Sequence, residues 1–466
     1  MAAMKKRDSA AIVISMVLLL PYFVIQIKFF SNSKLNVSVA DHSTKSLQES
    51  KHLEAKTISS SRDPQQNRPL YSSHRNRRIV CNRSHDSYDT CDVNGPTVLD
   101  PTTSTFFLTD PSGPTVVEKI RPYPRKFENS TQSRIKELTL VSGPKGPPCQ
   151  VQHNAPALVF SAGGYTGNFF HEFGDGIIPL YITINTLFNN RRQDVVLVIS
   201  KSRDWWVHKY SEVLQSLSKH PIINLDNDTV SHCFPYARLG LISHGFMTIN
   251  PNLLPNPKSL IQFRDFLDKS YSQKPISKSS IPNPSKTRPR LVLVSRTGNV
   301  GRVLLNQEEV RKEAERLGFD VVVFDPSPST PLGSAYDLIN SSHAMVGVHG
   351  AALTHLLFLR PGSTFIQVVP LGVGWLAEVC FGKPAREMGL AYAEYRIIAE
   401  ESSLVEKYGR DEMVIRDPVG WRGKGWSNEV MNVYLKEQNV RLNLDRFRGY
   451  LKEAYRKSRK FMKKEG

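Results

Sequence analysis

The stretch AMVGVHGAALTHLLFLRPGSTFIQVVP, Ala344 to Pro370, constrains this chain more than any other. Ala344–Val348 is an unbroken apolar run with β-branched residues, which fits a strand covered on both faces. Gly350 suits a sharp turn at that strand's carboxyl end. Residues 351–359 read as a short helix, Pro361 and Gly362 stop it, and Thr364–Val369 reads as a second buried strand. A helix starting there aims its free N–H groups and positive dipole end at whatever lies above the sheet. His349 adds a side-chain donor. The pattern suits a phosphate, because open α/β sheets bind ligands outside the carboxyl ends of their strands. A plain strand-to-helix junction has the same spacing, so both readings stand at this point.

The rest of the chain repeats that alternation. Residues 78–142 hold short strand-like stretches (TVLDPTTSTFFLTD, TVVEKIRPYPRKF, IKELTLVS), a β-rich lead-in punctuated by GPKGPP. A strand over 157–161 follows, then a loop with Gly163, Gly164 and Gly167, and a helix over 169–188 with Asn168 as its cap. The strand 195–200, a helix over 205–217 and the strand PIINL complete one doubly wound unit. A helix over 260–271 precedes the Pro-, Ser- and Lys-rich KPISKSSIPNPSKTRPR, which reads as a linker. The second unit comprises the strand RLVLVSR, the loop TGNVGR, a helix over 306–317 and the strand VVVFD. A short helix over 335–342, the opening stretch, a helix over 375–388 and the strand YRII complete it. The resulting fold class is α/β, two Rossmann-like units facing each other across a cleft. A basic amphipathic helix over 443–462 ends the chain, as a cap on the domain or a membrane-facing face.

The amino terminus sets the compartment. Lys5, Lys6 and Arg7 precede an uncharged apolar run over residues 10–27, AAIVISMVLLLPYFVIQI, about the minimum length that spans a bilayer. A cleaved signal peptide is the rival, but the run is long for one and no small-x-small site follows. The reading is therefore an uncleaved signal anchor, with residues 1–9 cytosolic and the remainder luminal. Residues 28–78, rich in Ser, Lys, Asn and Arg, lack the apolar surface to fold and read as a stem. The expected body is then 79–271 for the lead-in and first unit, 272–289 for the linker, and 290–466 for the second unit. A luminal body makes sense of sequons at Asn36, Asn82, Asn129 and Asn227, and of a weaker one at Asn340 inside a predicted core helix. It also allows Cys81 and Cys91 to bridge a short loop. Five cysteines leave at least one free or paired between chains. The formal charge of +18 attracts polyanions. No nucleic-acid motif accompanies it, and the charge is spread along the chain.

Three groups of residues carry possible chemistry. Arg296 ends a strand and Arg302 lies past TGNVG. Arginines so placed can straddle a diphosphate while the glycines admit close backbone approach. Surface arginines on a loop are the bland alternative. His171 and Asp175, four apart on one helix face, make a carboxylate-oriented imidazole suited to deprotonating a hydroxyl. Glu172 is the rival base, and a packed histidine with a capping aspartate the bland reading. Asp226-Asn227-Asp228 spells a D-x-D, but it lies in the first unit and overlaps a sequon, so no metal ligand is assigned. Neither a P-loop nor a G-x-G-x-x-G after a strand is present, which disfavours a dinucleotide oxidoreductase.

The combination of GNFFHEFGD, SRTGNVGR, VGVHGAALTHLLFLRPGSTFIQVVP and GWLAEVCFGKPAREMGLAYAEYRI resembles glycosyltransferase family 61. Within it, the chain resembles the plant clade of xylan arabinosyltransferases and xylosyltransferases, over about residues 79–417. The resemblance implies a type II Golgi membrane enzyme of two facing Rossmann-like domains (the GT-B type). It implies inverting transfer from a UDP-sugar, with UDP as part of a substrate and no resident cofactor. The loop His349, Gly350, Ala351, Leu353, Thr354 and the loop of Arg296 and Arg302 are then expected to hold UDP. Glu378 is a further donor-site candidate. His355 stands where the family commonly has asparagine. The expected partners are the UDP-sugar, xylan, the Golgi membrane and other Golgi glycosyltransferases, with no nucleic acid. A membrane-anchored polysaccharide-binding scaffold without turnover is the competing class. Arabinofuranose and xylose stay equally open, because that choice rests on a few pocket contacts of about 1–3 kcal/mol each.

Overall fold

The computed structural model describes residues 78–110, 113–188, 193–272, 285, 287–298, 300–423 and 426–465. The expected tail, the anchor, the stem up to residue 77, Asn36 and most of the linker lie outside the described residues. Among the described residues, no helix is long and apolar enough to cross a membrane.

The first sheet is mixed. Its strands are β1 (Arg78–Asn82), β2 (Thr90–Asp100), β3 (Thr105–Thr109), β4 (Val116–Ile120), β5 (Leu138–Gly143), β6 (Val151–Gln152), β7 (Ala157–Ser161), β8 (Val196–Ser200), β9 (Ile223–Asn224) and β10 (His232–Leu239). Their order is β4-β5-β3-β2-β10-β7-β8-β9, with β1 on β2 and β6 on β10. The lead-in is therefore not a separate β module. β10 pairs antiparallel with β2 and parallel with β7, which fuses the lead-in to the α/β unit. The fully buried strands β7 and β8 are parallel neighbours, as their unbroken apolar sequences require.

The second sheet is wholly parallel: β11 (Arg290–Val294), β12 (Asp320–Phe324), β13 (Ala344–Val348), β14 (Thr364–Val369) and β15 (Ala391–Arg396), ordered β12-β11-β13-β14-β15. Relative to chain order this is 2-1-3-4-5. The direction of winding reverses between β11 and β13, and a crevice opens there at the carboxyl ends of the strands.

Helices depart from the sequence expectation in informative ways. Residues 169–187 form one continuous helix, but its segment Glu172–Ile177 is a π turn. The same device, Glu378–Gly382, interrupts the helix over 374–387. The helix expected over 205–217 breaks at buried Tyr210 into Asp204–Lys209 and Ser211–Leu217. Ala351–Phe358 is a 3-10 helix rather than an α-helix. The terminal helix Leu444–Glu465 buries Phe447, Leu451 and Ala454 in the core of the second unit, so it is a cap on the domain.

The largest apolar cluster draws on both units. It includes Leu158, Phe173 and Phe263 from one and Val292, Leu353 and Phe365 from the other. Two disulfides lie in the first unit. Cys81–Cys91 forms as expected, joining paired positions of β1 and β2. Cys149–Cys233 was not foreseen, because 84 residues separate the partners; Cys380 is free and buried. The sequon asparagines Asn82, Asn129 and Asn227 are exposed. Asn340 is instead held by Arg264 and donates to Tyr336 (3.0 Å).

Loop length sets the worth of each bridge through the entropy of the unfolded chain. Replacing Cys149 and Cys233 by serine is expected to cost about 4–5 kcal/mol, against about 3 kcal/mol for Cys81 and Cys91. Urea denaturation of the two double variants checks the ordering.

Candidate active site

Two arginines meet at the crevice between β11 and β13. Arg296 follows β11, and its Nε and Nη2 donate to the carbonyls of Gly301 (3.2 Å) and Val300 (3.4 Å). Arg302 lies across the loop, donating from Nη1 to the His349 carbonyl (3.0 Å) and from Nε to the Leu435 carbonyl (3.0 Å). Among the described residues these are backbone partners; no carboxylate neutralises either guanidinium. Burial lowers the pKa of both. Burial and the neighbouring Arg296 together push Arg302 down to about 9. Two desolvated like charges side by side are costly unless an anion joins them.

The backbone is bent to make this happen. Arg302 has a φ of 56°, a left-handed conformation that costs a non-glycine residue of order 1 kcal/mol. Gly301, at φ 67°, lies so close to the Lys436 carbonyl that any Cβ would collide with it. The loop is strapped to the segment 435–440: Val303 N–H donates to Asn439 Oδ1 (3.0 Å) and Leu305 N–H to the Val440 carbonyl (2.8 Å). Sequence reading gave this segment no role in the site.

His349 stands at the end of β13, buried. Gln367 Nε2 donates to its Nδ1 (2.9 Å), and Tyr392 donates to Gln367 Oε1 (2.8 Å). That chain places the ring proton on Nε2. Burial, then Arg302 and Arg296, holds the imidazole neutral, well below its ordinary pKa. His349 is thus a neutral donor beside two cations. Gly350 is not in a left-handed turn; its φ of 165° is extended backbone open to any residue. Its lack of a side chain instead leaves room for the Arg296 guanidinium, which a Cβ there would meet.

The other expected residues divide. Ala351 lines the cleft beside Arg296. Leu353 and Thr354 do not: both are buried, Leu353 in the apolar core, and the Thr354 hydroxyl has no hydrogen-bond partner among the described residues. Glu378 is tied to Arg386 on the surface of its helix, apart from the arginine loop. Asp226 and Asp228 serve local structure, paired with Lys136 (3.0 Å) and His232 (3.0 Å).

His171 and Asp175 do meet, with Nδ1 2.8 Å from Oδ2. They belong to a buried polar cluster. Asp175 also accepts from Arg125 (2.7 Å) and Tyr123 (3.3 Å), and Arg125 reaches Glu128 (3.4 Å). Tyr165 lies flat on the His171 ring at 4.2 Å. Burial pulls the His171 pKa down against the pull of Asp175. For Asp175, Arg125 and His171 outweigh burial and hold the carboxylate ionised. Sequence reasoning missed Arg125, Tyr123, Glu128 and Tyr165, which come from elsewhere in the chain.

A cleft of about 810 Å³ runs between the units. From the first unit it is lined by Gly167, Asn168, Phe169, Glu172, Trp205 and Lys209. Arg296, Thr297, Asp325, Ala351, Ala352 and His355 line it from the second. His355 bridges the two, stacked on Phe169 at 4.3 Å with Nδ1 donating to the Ala352 carbonyl (2.7 Å). Burial lowers its pKa to about 4. The arrangement can hold an anion at one wall and a neutral polyol against the other.

Comparison with known proteins identifies the family. The family model Glycosyltransferase 61 matches residues 167–366, which include both cleft-lining loops. The chain is 41% identical over 407 residues to xylan glycosyltransferase MUCI21 of Arabidopsis thaliana, covering 83% of this chain and 81% of that one. It is 36% identical over 397 residues to beta-1,2-xylosyltransferase XYXT1 of Oryza sativa subsp. japonica, covering 81% and 83%. It is also 36% identical to alpha-1,3-arabinosyltransferase XAT3 of the same rice, covering 80% of this chain but 64% of the relative's length. With two such relatives matched over most of both chains, the chain belongs to glycosyltransferase family 61.

Proposed function

We propose that this protein transfers a pentose, arabinofuranose or xylose, from a UDP-sugar to xylan, with inversion at the anomeric carbon. The observation that carries the reading is the partly buried Arg296–Arg302 pair, with no carboxylate partner among the described residues, set at the switch point of a parallel sheet. A diphosphate supplies the missing negative charge. Relatives named as xylan glycosyltransferase, xylosyltransferase and arabinosyltransferase support the substrate class.

In this reading the acceptor hydroxyl attacks the anomeric carbon as its bond to UDP breaks. Negative charge grows on the departing β-phosphate, where the two guanidiniums and the His349 Nε2–H stabilise it. The two sheets and the cleft between them support a GT-B-type arrangement, with the donor on the second unit and the acceptor on the first. The basic residues before the apolar run at 10–27, the exposed sequon asparagines and the two disulfides support a Golgi enzyme of type II topology. Association with other Golgi glycosyltransferases belongs to the same reading.

The purified full-length chain, given UDP-arabinofuranose, UDP-xylose or UDP-N-acetylglucosamine with xylohexaose, is expected to add one pentose mass from one pentose donor. An EDTA arm shows whether a divalent cation contributes. A folded protein that neither transfers nor binds UDP favours the polysaccharide-binding subunit instead.

UDP affinity gives a sharper check on the arginine loop. Arg302→Ala is expected to weaken UDP by about 2–5 kcal/mol, some 30-fold or more in Kd. Arg302→Lys recovers little of it, because a point charge cannot make the forked contacts. Titration calorimetry with UDP, alongside melting of the unliganded variants, separates lost binding from lost folding.

A further inference from the structure

The reaction needs a group that takes the proton of the acceptor hydroxyl, and sequence alone leaves His171, Asp175 and Glu172 in competition. We infer that Glu172 is the general base, and that His171 with Asp175 is a positioning pair beneath it. This rests on the transferase reading above and names the base of that same site.

The geometry separates the two residues. Glu172 lines the cleft together with Arg296, Ala351 and His355, so its carboxylate shares a cavity with the diphosphate-binding loop. Its Oε1 accepts from the Gly167 N–H (2.8 Å), which fixes the side chain. Among the described residues no hydrogen bond is seen to its other oxygen, leaving that oxygen to face a substrate hydroxyl. Trp205, about two-fifths exposed, lines the same cleft and offers a flat apolar face of the kind a sugar ring covers.

His171 has none of these properties. It is 3% exposed, it is absent from the cleft wall, and Tyr165 covers its ring. Its Nδ1 is committed to Asp175, whose carboxylate is in turn held by Arg125 and Tyr123. A π turn starts at Glu172, and adjacent helical residues point about 100° apart, so His171 and Glu172 meet different surroundings. His171 is drawn inward and Glu172 stays at the cleft, and such turns recur at functional sites.

The proton balance is simple. Glu172 enters as carboxylate and takes the hydroxyl proton as the new C–O bond forms. The electron pair of the breaking bond leaves with UDP. The carboxyl proton then passes to water after product departs. Burial raises the Glu172 pKa above its ordinary value, opposed by the Gly167 N–H and Lys209. A higher pKa makes the carboxylate a stronger base. Lys209, Arg296, Asp325 and His355 are the other charged or titratable groups that line the cleft with it. His355 is uncharged above about pH 4.

The test compares Glu172→Gln, Glu172→Asp and His171→Gln with the wild type in full-length protein, using the pentose donor and xylohexaose. Glu172→Gln is expected to lose about 100-fold or more in kcat, keep its UDP Kd within about twofold, and lose the acidic limb of the kcat–pH profile. Glu172→Asp recovers part of the rate and keeps that limb. His171→Gln lowers the melting temperature and retains the acidic limb. A Glu172→Gln enzyme within tenfold of wild type, or one whose acidic limb is unchanged, overturns the assignment. So does a folded, UDP-binding His171→Gln enzyme with no turnover and a wild-type-like melting temperature. A wild type that turns over no donor fails the reading of function and this assignment with it. A wild type that transfers while Glu172→Gln transfers equally well fails this assignment alone.

Discussion

The pairing of two guanidiniums in one partly buried place, held among the described residues by backbone carbonyls, is the constraint from which the rest of this site follows. Such an arrangement resists folding unless the surrounding chain forces it. Here the force comes from the strap at 435–440, the collision that excludes any Cβ at Gly301, and a left-handed Arg302. Each is a local cost accepted at one spot. An anion that binds there recovers the electrostatic part of that cost. The site is therefore organised before the ligand arrives, which is the condition for stabilising charge as it develops. His349 fits the same logic. A protonated imidazole would add a third cation, whereas the Gln367–Tyr392 relay keeps it a neutral donor.

The two units are not independent bodies joined by a tether. Phe169 stacks on His355, and Phe170 meets Phe381 edge-on at 5.6 Å while Phe381 meets His349 at 5.3 Å. The helix that carries His171 and Glu172 thus packs directly on the 3-10 helix over 351–358 and reaches His349 through Phe381. A common apolar cluster reinforces the contact. Donor loop and candidate base sit in one framework, so a substitution in either aromatic chain is felt at both.

Much of this was legible in the sequence because it follows from local periodicity. β7, β13 and β14 were read with their observed boundaries, since unbroken β-branched runs bounded by glycine and proline admit one interpretation. Arg296, Arg302 and His349 converged as expected, because each follows a parallel strand at the same edge. The failures share a different cause. The Cys149–Cys233 bridge, the strap at 435–440 and the Arg125 cluster join residues distant in sequence, and no local pattern announces such pairs. Leu353 and Thr354 read as ligands because they belong to a family motif, but one turn of 3-10 helix carries both into the core. The lead-in was read together with the first unit, but the pairing of β10 with β2 that joins them was invisible without the fold.

The helix over 169–187 shows what spacing alone leaves open. Four-residue spacing put His171 and Asp175 on one face, and that much is right. What spacing does not carry is which face meets the cleft. Here the His–Asp side faces Arg125 and the lead-in, where charges are matched and closed off from substrate. The neighbouring carboxylate is buried as well, but it faces a cavity and holds a single backbone donor. Two adjacent residues are thereby driven to opposite behaviour by environment: a neutral histidine locked in a network, and a glutamate of raised basicity beside the substrate path. The difference lies in the packing around the helix rather than in the residue types: a histidine-aspartate motif is closed off in a network while the glutamate beside it lines the cleft.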